Sequence, residues 1–204
     1  MIISFDLYGT IVDWRSSMDS LLRTIGVDAQ LFFRSEFEEL KNLRVFKPYS
    51  EILRNALKSV MQSEYRAEYG DALVLSFAKS PPFPDAIIAL PRLRAAGHKL
   101  ALISNTERKL IRVTLCGIEH MFDWVVTAEE SGAYKPSPEA FVRAYSEMGV
   151  TDKRYVVHVS AYPSYDLIPA SQVGLKTVLV NRYADVWPVQ VGSFLELERT
   201  LRSN

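Results

Sequence analysis

Five short apolar runs narrow the folds open to this chain: Ile2–Phe5, Lys99–Ser104, Trp124–Thr127, 155–160 and 177–181. Each is nearly continuous in Val, Ile, Leu and aromatic residues instead of alternating with polar ones. That pattern marks strands buried on both faces, as in a parallel sheet. The last four alternate with helical patterns, the rhythm of an α/β fold.

Between the first run and the second lies a stretch with no strand signal. It reads as four helices, at 17–25, 30–44, 50–64 and 71–78, and the third places Ile52, Leu53, Ala56, Leu57, Val60 and Met61 on one stripe. Pro81-Pro82-Phe83-Pro84 is a natural boundary after it. The expected organisation is an α/β core of residues 1–13 and 83–204 with a helical unit of residues 14–82 inserted into it. Ser137-Pro138-Glu139 reads as a helix start, Phe141, Ala144, Tyr145 and Met148 share a face, and Gly149 stops that helix. A shorter helix is expected over 166–173, with Asp166 at its N-cap and Gly174 after it. The helix at 85–96 contains Pro91, which predicts a kink or a later start, because proline inside a helix costs about 3 kcal/mol.

Composition removes several function classes. Lys+Arg and Asp+Glu are both 24, so net charge is zero, which argues against nucleic acid or an anionic membrane as partner. Cys116 is the single cysteine, and His98, His120 and His158 share no ligand spacing, so neither a disulfide framework nor a cysteine or histidine metal site is expected. No apolar run reaches the roughly 18 residues of a membrane span. MIISFDLYGT lacks a basic region and a cleavage site, so a soluble cytoplasmic protein is expected.

In open α/β sheets ligands bind beyond the carboxyl ends of the strands. After the first run stands Asp6, then Leu7-Tyr8-Gly9-Thr10. Ser104-Asn105 follows the second, and a loop to Lys135-Pro136 follows the third. The fourth leads to Ser160-Ala161-Tyr162-Pro163-Ser164-Tyr165-Asp166. Taken singly, each has an ordinary reading: an Asx turn, a helix cap, a solvated lysine, another cap. Together they supply two carboxylates, an ammonium and several hydroxyl and amide groups, which suits a carboxylate nucleophile.

FDLYGT at Phe5–Thr10, ISN at Ile103–Asn105, YKPSPEAF at Tyr134–Phe141 and the segment from Val159 to Arg182 resemble the four motifs of the haloacid dehalogenase (HAD) superfamily. The resemblance spans the whole core and implies a Rossmann-like parallel sheet, with the helical insertion as a C1-type cap. Within the superfamily the chain is most similar to the 2-haloacid dehalogenases of type II. Superfamily phosphatases carry a second aspartate two residues after the nucleophile, and here that position is Tyr8. An alkoxide leaving group needs that proton, whereas a halide does not.

The resemblance implies that Asp6 displaces halide from C2 of a small 2-halocarboxylate and that water then hydrolyses the ester. Lys135 would lower the pKa of Asp6 and keep it ionised. Thr10 would bond the Asp6 oxygens, Ser104 and Asn105 would bind the substrate carboxylate or the halide, and Asp166 would hold Lys135 or orient the water. Arg34 on a cap helix, with Arg44 as fallback, would receive the halide. Tyr8, Phe46 and Tyr165 would wall the pocket. No metal is expected, since Ala161 stands where the fourth motif usually has an acid; the alternative is Mg2+ near Asp6 and Asp166 in a phosphatase. Ala161 and Pro163 also replace a serine and an asparagine usual in these dehalogenases. Ser160, Ser164 and Tyr162 are the candidates to stand in for them, and a weakly active or inactive binding protein is the third reading. His158 reads as a satisfied core histidine. A homodimer is expected by analogy alone.

Overall fold

The structure is a computed structural model that describes residues 1–43 and 45–203. Its centre is a six-stranded, fully parallel sheet of β1 (Ile2–Phe5), β2 (Lys99–Ser104), β3 (Trp124–Thr127), β4 (Val156–Ser160), β5 (Lys176–Val180) and β6 (Gln190–Val191). The strand order is β3-β2-β1-β4-β5-β6. Ile3 and Phe5 of β1, Leu100, Ala101 and Leu102 of β2, and Val156 and Val159 of β4 are all fully buried, as continuous apolar strands between helical layers require. β6 was not foreseen: two residues, one of them Gln190, are too short to carry a pattern.

Helices α1 (Trp14–Thr24), α2 (Ala29–Lys41), α3 (Tyr49–Met61) and α4 (Ala67–Ala78) follow β1, with α2 on α3, α1 on α4, and α3 on α4. The first two start earlier than the sequence reading has them because of local caps. Asp13 accepts from the Ser16 N–H and opens α1 three residues early, and Asp28 accepts from the Gln30 and Leu31 N–H groups at the start of α2. The expected end of the second helix at Arg44 lies outside the described residues. The chain enters and leaves this helical run through adjacent backbone. Asp13 N donates to the Pro81 carbonyl at 2.8 Å, and Phe83 N donates to the Ile11 carbonyl at 2.8 Å.

Helix α5 (Pro84–Ala95) starts at its proline and runs through Pro91, so the later start is not observed. Pro91 is exposed, which leaves the carbonyl it fails to serve on the solvent side, where water can bond it. The remaining helices of the core include α6 (Arg108–Thr114), α7 (Ala128–Ser131), α8 (Pro138–Glu147), α9 (Ile168–Gln172) and α10 (Leu197–Ser203). Ser137 stands at the N-cap of α8 as expected, although its side chain makes no capping bond. Asp166 is not an N-cap. It lies within a π-helical turn, Pro163–Leu167, that precedes α9.

Candidate active site

Asp6 is the first residue after β1. The chain goes from β1 to β2 on one side of it and returns to β4 on the other, the arrangement that opens a crevice at the strand ends. Asp6 N donates to the Val159 carbonyl at 3.1 Å, which fixes the loop to β4. The loop then winds tightly: the N–H groups of Ile11 and Val12 both donate to the Leu7 carbonyl, at 2.9 and 3.0 Å. Gly9 has φ +90°, and a side chain there would run into the Tyr162 ring, so the close approach requires glycine. This turn brings Thr10 back beneath Asp6. Its Oγ1 donates to Asp6 Oδ2 at 2.7 Å and accepts from the Ala161 N–H at 2.9 Å.

Lys135 enters from the loop after β3. Its Nζ donates to Asp6 Oδ1 at 2.8 Å, to Asp166 Oδ1 at 2.7 Å and to the Ile103 carbonyl at 2.9 Å. All three donors of the ammonium are used. Asn105 clamps the backbone behind it: Lys135 N donates to Asn105 Oδ1, and Asn105 Nδ2 donates to the Lys135 carbonyl, both at 2.8 Å. Asp166 Oδ1 also lies 3.0 Å from His158 Nε2, and His158 Nδ1 lies 2.9 Å from Ser4 Oγ, which is 2.5 Å from the Tyr145 hydroxyl. His158 is thus a satisfied buried histidine, and its partner belongs to the site.

Asp6, Lys135 and Asp166 are each 5% exposed or less. Burial pushes the Asp6 carboxyl above the usual range; the Lys135 ammonium offsets only part of this, and the Asp166 charge adds to the rise. Lys135 therefore acts on Asp6 in the expected direction, but burial outweighs it. Burial acts upward on Asp166 too, yet Lys135 and His158 together hold that carboxyl below the usual range. Burial lowers Lys135, and the two carboxylates more than restore it, so it stays an ammonium.

A cavity of about 370 Å³ opens onto this trio. Tyr8 lines it, with its ring stacked on Phe77 at 3.9 Å and its hydroxyl 2.6 Å from Thr114 Oγ1. Thr114 Oγ1 itself donates to the Ala78 carbonyl at 2.8 Å, so the Tyr8 hydroxyl is the donor to it. Burial raises the Tyr8 phenol further, which makes it a poor acid. Arg34 and Tyr165 line the cavity, and Arg34 is exposed at its edge. Three expected contacts fall elsewhere. Thr10 and Ser104 are buried and do not line the cavity, since Thr10 supports Asp6 from behind. Phe46 stacks on Tyr134 at 5.8 Å, outside it. Asn105 lines the cavity with its amide already committed to Lys135. Of the candidates to replace the missing fourth-motif groups, Ser160 Oγ accepts from the Tyr162 N–H, and Ser164 is exposed and outside the lining. Tyr162 lines the cavity, but its hydroxyl accepts from Trp14 Nε1 at 3.0 Å.

Two charged lining residues were not foreseen. Arg15 is half-buried, with its guanidinium 4.4 Å from the Tyr183 ring and 5.4 Å from those of Phe33 and Tyr162. An Asp13 cap would have placed Arg15 in the first turn of α1. Glu36 is 5% exposed and accepts from the Tyr49 hydroxyl at 2.9 Å. Its signal was a carboxylate on the buried stripe Phe32, Glu36, Leu40.

Burial pushes Glu36 up from 4.5 to about 7, against the bond from Tyr49 and the pull of Arg15. A raised folded-state pKa means that the unfolded chain ionises first. Stability then falls as pH rises from 4.5 to about 7, and the loss is complete above that. Glu36→Gln keeps the acceptor for Tyr49 and removes the charge. It is expected to match wild type near pH 4 and to exceed it by about 3 kcal/mol at pH 8 in urea unfolding. Parallel stability-versus-pH curves for the two proteins would refute this.

A family model described as haloacid dehalogenase-like hydrolase matches residues 3–180. Haloacetate dehalogenase H-2 of Moraxella sp. is 29% identical over 193 residues, covering 89% of this chain and 85% of that one. Glyceraldehyde 3-phosphate phosphatase of Methanopyrus kandleri is 36% identical over 119 residues, which is 55% of this chain and 49% of its own. A crystal structure described only as a dehalogenase superposes with a TM-score of 0.87 at 25% identity, covering 100% of this chain and 97% of the other. No described helix is long and apolar enough to cross a membrane.

Proposed function

The chain belongs to the haloacid dehalogenase-like hydrolase family, and from that premise we propose that it hydrolyses the carbon–halogen bond of a 2-halocarboxylate with Asp6 as nucleophile. The observation that carries the reading is the Asp6–Lys135–Asp166 trio opening onto a cavity lined by Tyr8, whose hydroxyl is committed to Thr114, where a phosphatase would have an aspartate. Displacement of a halide calls for an anionic nucleophile and a polar resting place for the departing anion. It calls for no proton donor.

In this reading a carboxylate oxygen of Asp6 attacks C2 through a lone pair not used by Lys135 or Thr10, the carbon–halogen bond breaks, and an ester joins substrate to enzyme. Arg34 and Arg15 neutralise the substrate carboxylate and the leaving halide. Water then adds to the Asp6 carboxyl carbon and releases a 2-hydroxy acid, regenerating the carboxylate and one solvent proton. Lys135 holds the carboxyl in place through both steps, and Asp166 holds Lys135 and orients the water. In this reading the chemistry needs no metal. An ammonium already stands between the two carboxylates that magnesium would have to share, Ala161 offers no third oxygen, and among the described residues no three His, Cys, Asp or Glu gather as a metal-holding group.

The competing reading is a magnesium-dependent phosphatase, which the Methanopyrus kandleri relative favours. One experiment separates them: halide release from each enantiomer of 2-chloropropionate in EDTA, with the intact mass of the protein read from the same sample. The expected result is chloride from one enantiomer at a rate that EDTA leaves unchanged. The displaced fourth-motif groups predict in addition that ester hydrolysis is slow, so a substrate adduct should be visible at steady state. Absence of both chloride and adduct would reject the proposal. Magnesium-dependent phosphate release from an aryl phosphate would then establish the phosphatase, and failure of both assays would leave the binding protein.

A further inference from the structure

The cavity has room beyond the smallest haloacids and is walled largely by aromatic rings. A 2-chloropropionate has about six heavy atoms, which at the roughly 30 Å³ that liquid water gives each heavy atom fill about half of the available space. The remainder matches a six-membered ring. Half of the lining residues are aromatic. Trp14 meets Phe33 and Phe77 edge-on at 5.2 and 5.7 Å, and Phe37 meets Tyr165 edge-on at 5.3 Å, so faces and edges both border the space.

Glu36 is the odd residue in that wall. It is buried, sits on cap helix α2, and accepts from the neutral Tyr49 hydroxyl through Oε1. Among the described residues no ion pair includes it, and even a protonated carboxyl keeps acceptor capacity beyond the one bond from Tyr49. With Glu36 protonated the lining carries Arg15, Arg34 and Lys135 against Asp6 and Asp166, one net positive charge, which fits a single carboxylate in the substrate.

Building on the dehalogenase reading, we propose that the site takes a monocarboxylic acid with an arylmethyl substituent on the reacting carbon, and that Glu36 is a specificity residue hydrogen-bonding a donor group on that ring. Such a site rejects an analogue that lacks the donor, because the buried acceptor is left unpaired.

The test compares 2-chloropropionate, 2-chloro-3-phenylpropanoate and its 3- and 4-hydroxyphenyl counterparts. Wild type is expected to prefer phenyl over methyl by about 10-fold or more in kcat/KM, and one hydroxyphenyl isomer over phenyl by at least as much. Glu36→Leu is expected to lose the hydroxyl preference and keep the phenyl preference, and Glu36→Gln to retain part of the first. The unhalogenated acids are titrated in parallel by calorimetry, 3-phenylpropanoate and its hydroxylated forms against propionate, so the inference is decided even if no halide appears. Absence of halide from every substrate, with the aryl acids still bound selectively, would reject the chemistry and uphold the specificity. Equal binding and turnover of the methyl and phenyl acids would overturn the aryl assignment. A hydroxyl that adds nothing, or that adds as much in Glu36→Leu, would overturn the role of Glu36.

Discussion

Asp6→Asn is expected to cut halide release by at least about 10⁴-fold, the scale on which losing a covalent nucleophile is felt, while unfolding within about 1 kcal/mol of wild type. The two halves of this prediction have separate causes. An amide of the same shape has no charge with which to attack C2, so activity goes. The fold survives because the buried trio carries two carboxylates against one ammonium, and the substitution removes one buried negative charge that burial disfavours. What is lost is one hydrogen bond: Thr10 Oγ1 donates to Asp6 Oδ2, and an NH₂ at that place cannot accept. The sign with pH follows from the raised Asp6 pKa. The variant gains relative to wild type as pH rises through the Asp6 titration, because wild type must then bury the ionised form. Halide release and urea unfolding measured on the same preparation check both halves. Retained chloride release would remove Asp6 from the chemistry, and a loss of several kcal/mol would make its role structural.

The sheet was legible because its strands are buried on both faces and so carry an unbroken apolar run. β1, β2 and β3 fall on the residues expected of them, β4 starts one residue later, and β5 lies one residue earlier at both ends. The trio was legible for a related reason. Asp6, Lys135 and Asp166 each follow a strand or the loop after it, and a parallel sheet brings its carboxyl ends together however far apart they lie in sequence. The helical run after β1 was less so. Its helices were found from their apolar stripes, but which residues on them face the active site depends on how the helices roll against the core. That is why Arg15 and Glu36 were missed and Phe46 was misplaced. The individual roles of Thr10, Ser104 and Asn105 were also out of reach. A hydroxyl or amide at a strand end can face a substrate or brace a neighbour, and here Thr10 braces Asp6 while Asn105 clamps Lys135.

The same asymmetry of charge makes Lys135 the residue the fold can least spare. Lys135→Met is expected to cost about 3–5 kcal/mol in unfolding free energy and to abolish halide release. Methionine fills much of the space, so the cost is electrostatic: Asp6 and Asp166 are left buried with no cation between them, and the Ile103 carbonyl loses its donor. The variant relieves this by taking up a proton, since two carboxyls so close and so buried resist joint ionisation. Both carboxyl pKa values then rise. Raised acid pKa values weaken a fold as pH increases, so the deficit should be small near pH 4 and widen steadily toward pH 8. Wild-type Lys135 shows no compensating loss in that window, because its own pKa is raised above 10.5 and its contribution is intact below it. Lys135→Arg should not rescue either property. The ammonium spends three donors on three acceptors gathered around one nitrogen, and a planar guanidinium cannot converge on the same point. Urea unfolding of the Met and Arg variants at pH 5 and pH 8 measures the effect. A deficit of equal size at both pH values would mean that lost packing, and not the buried charge pair, is what Lys135 prevents.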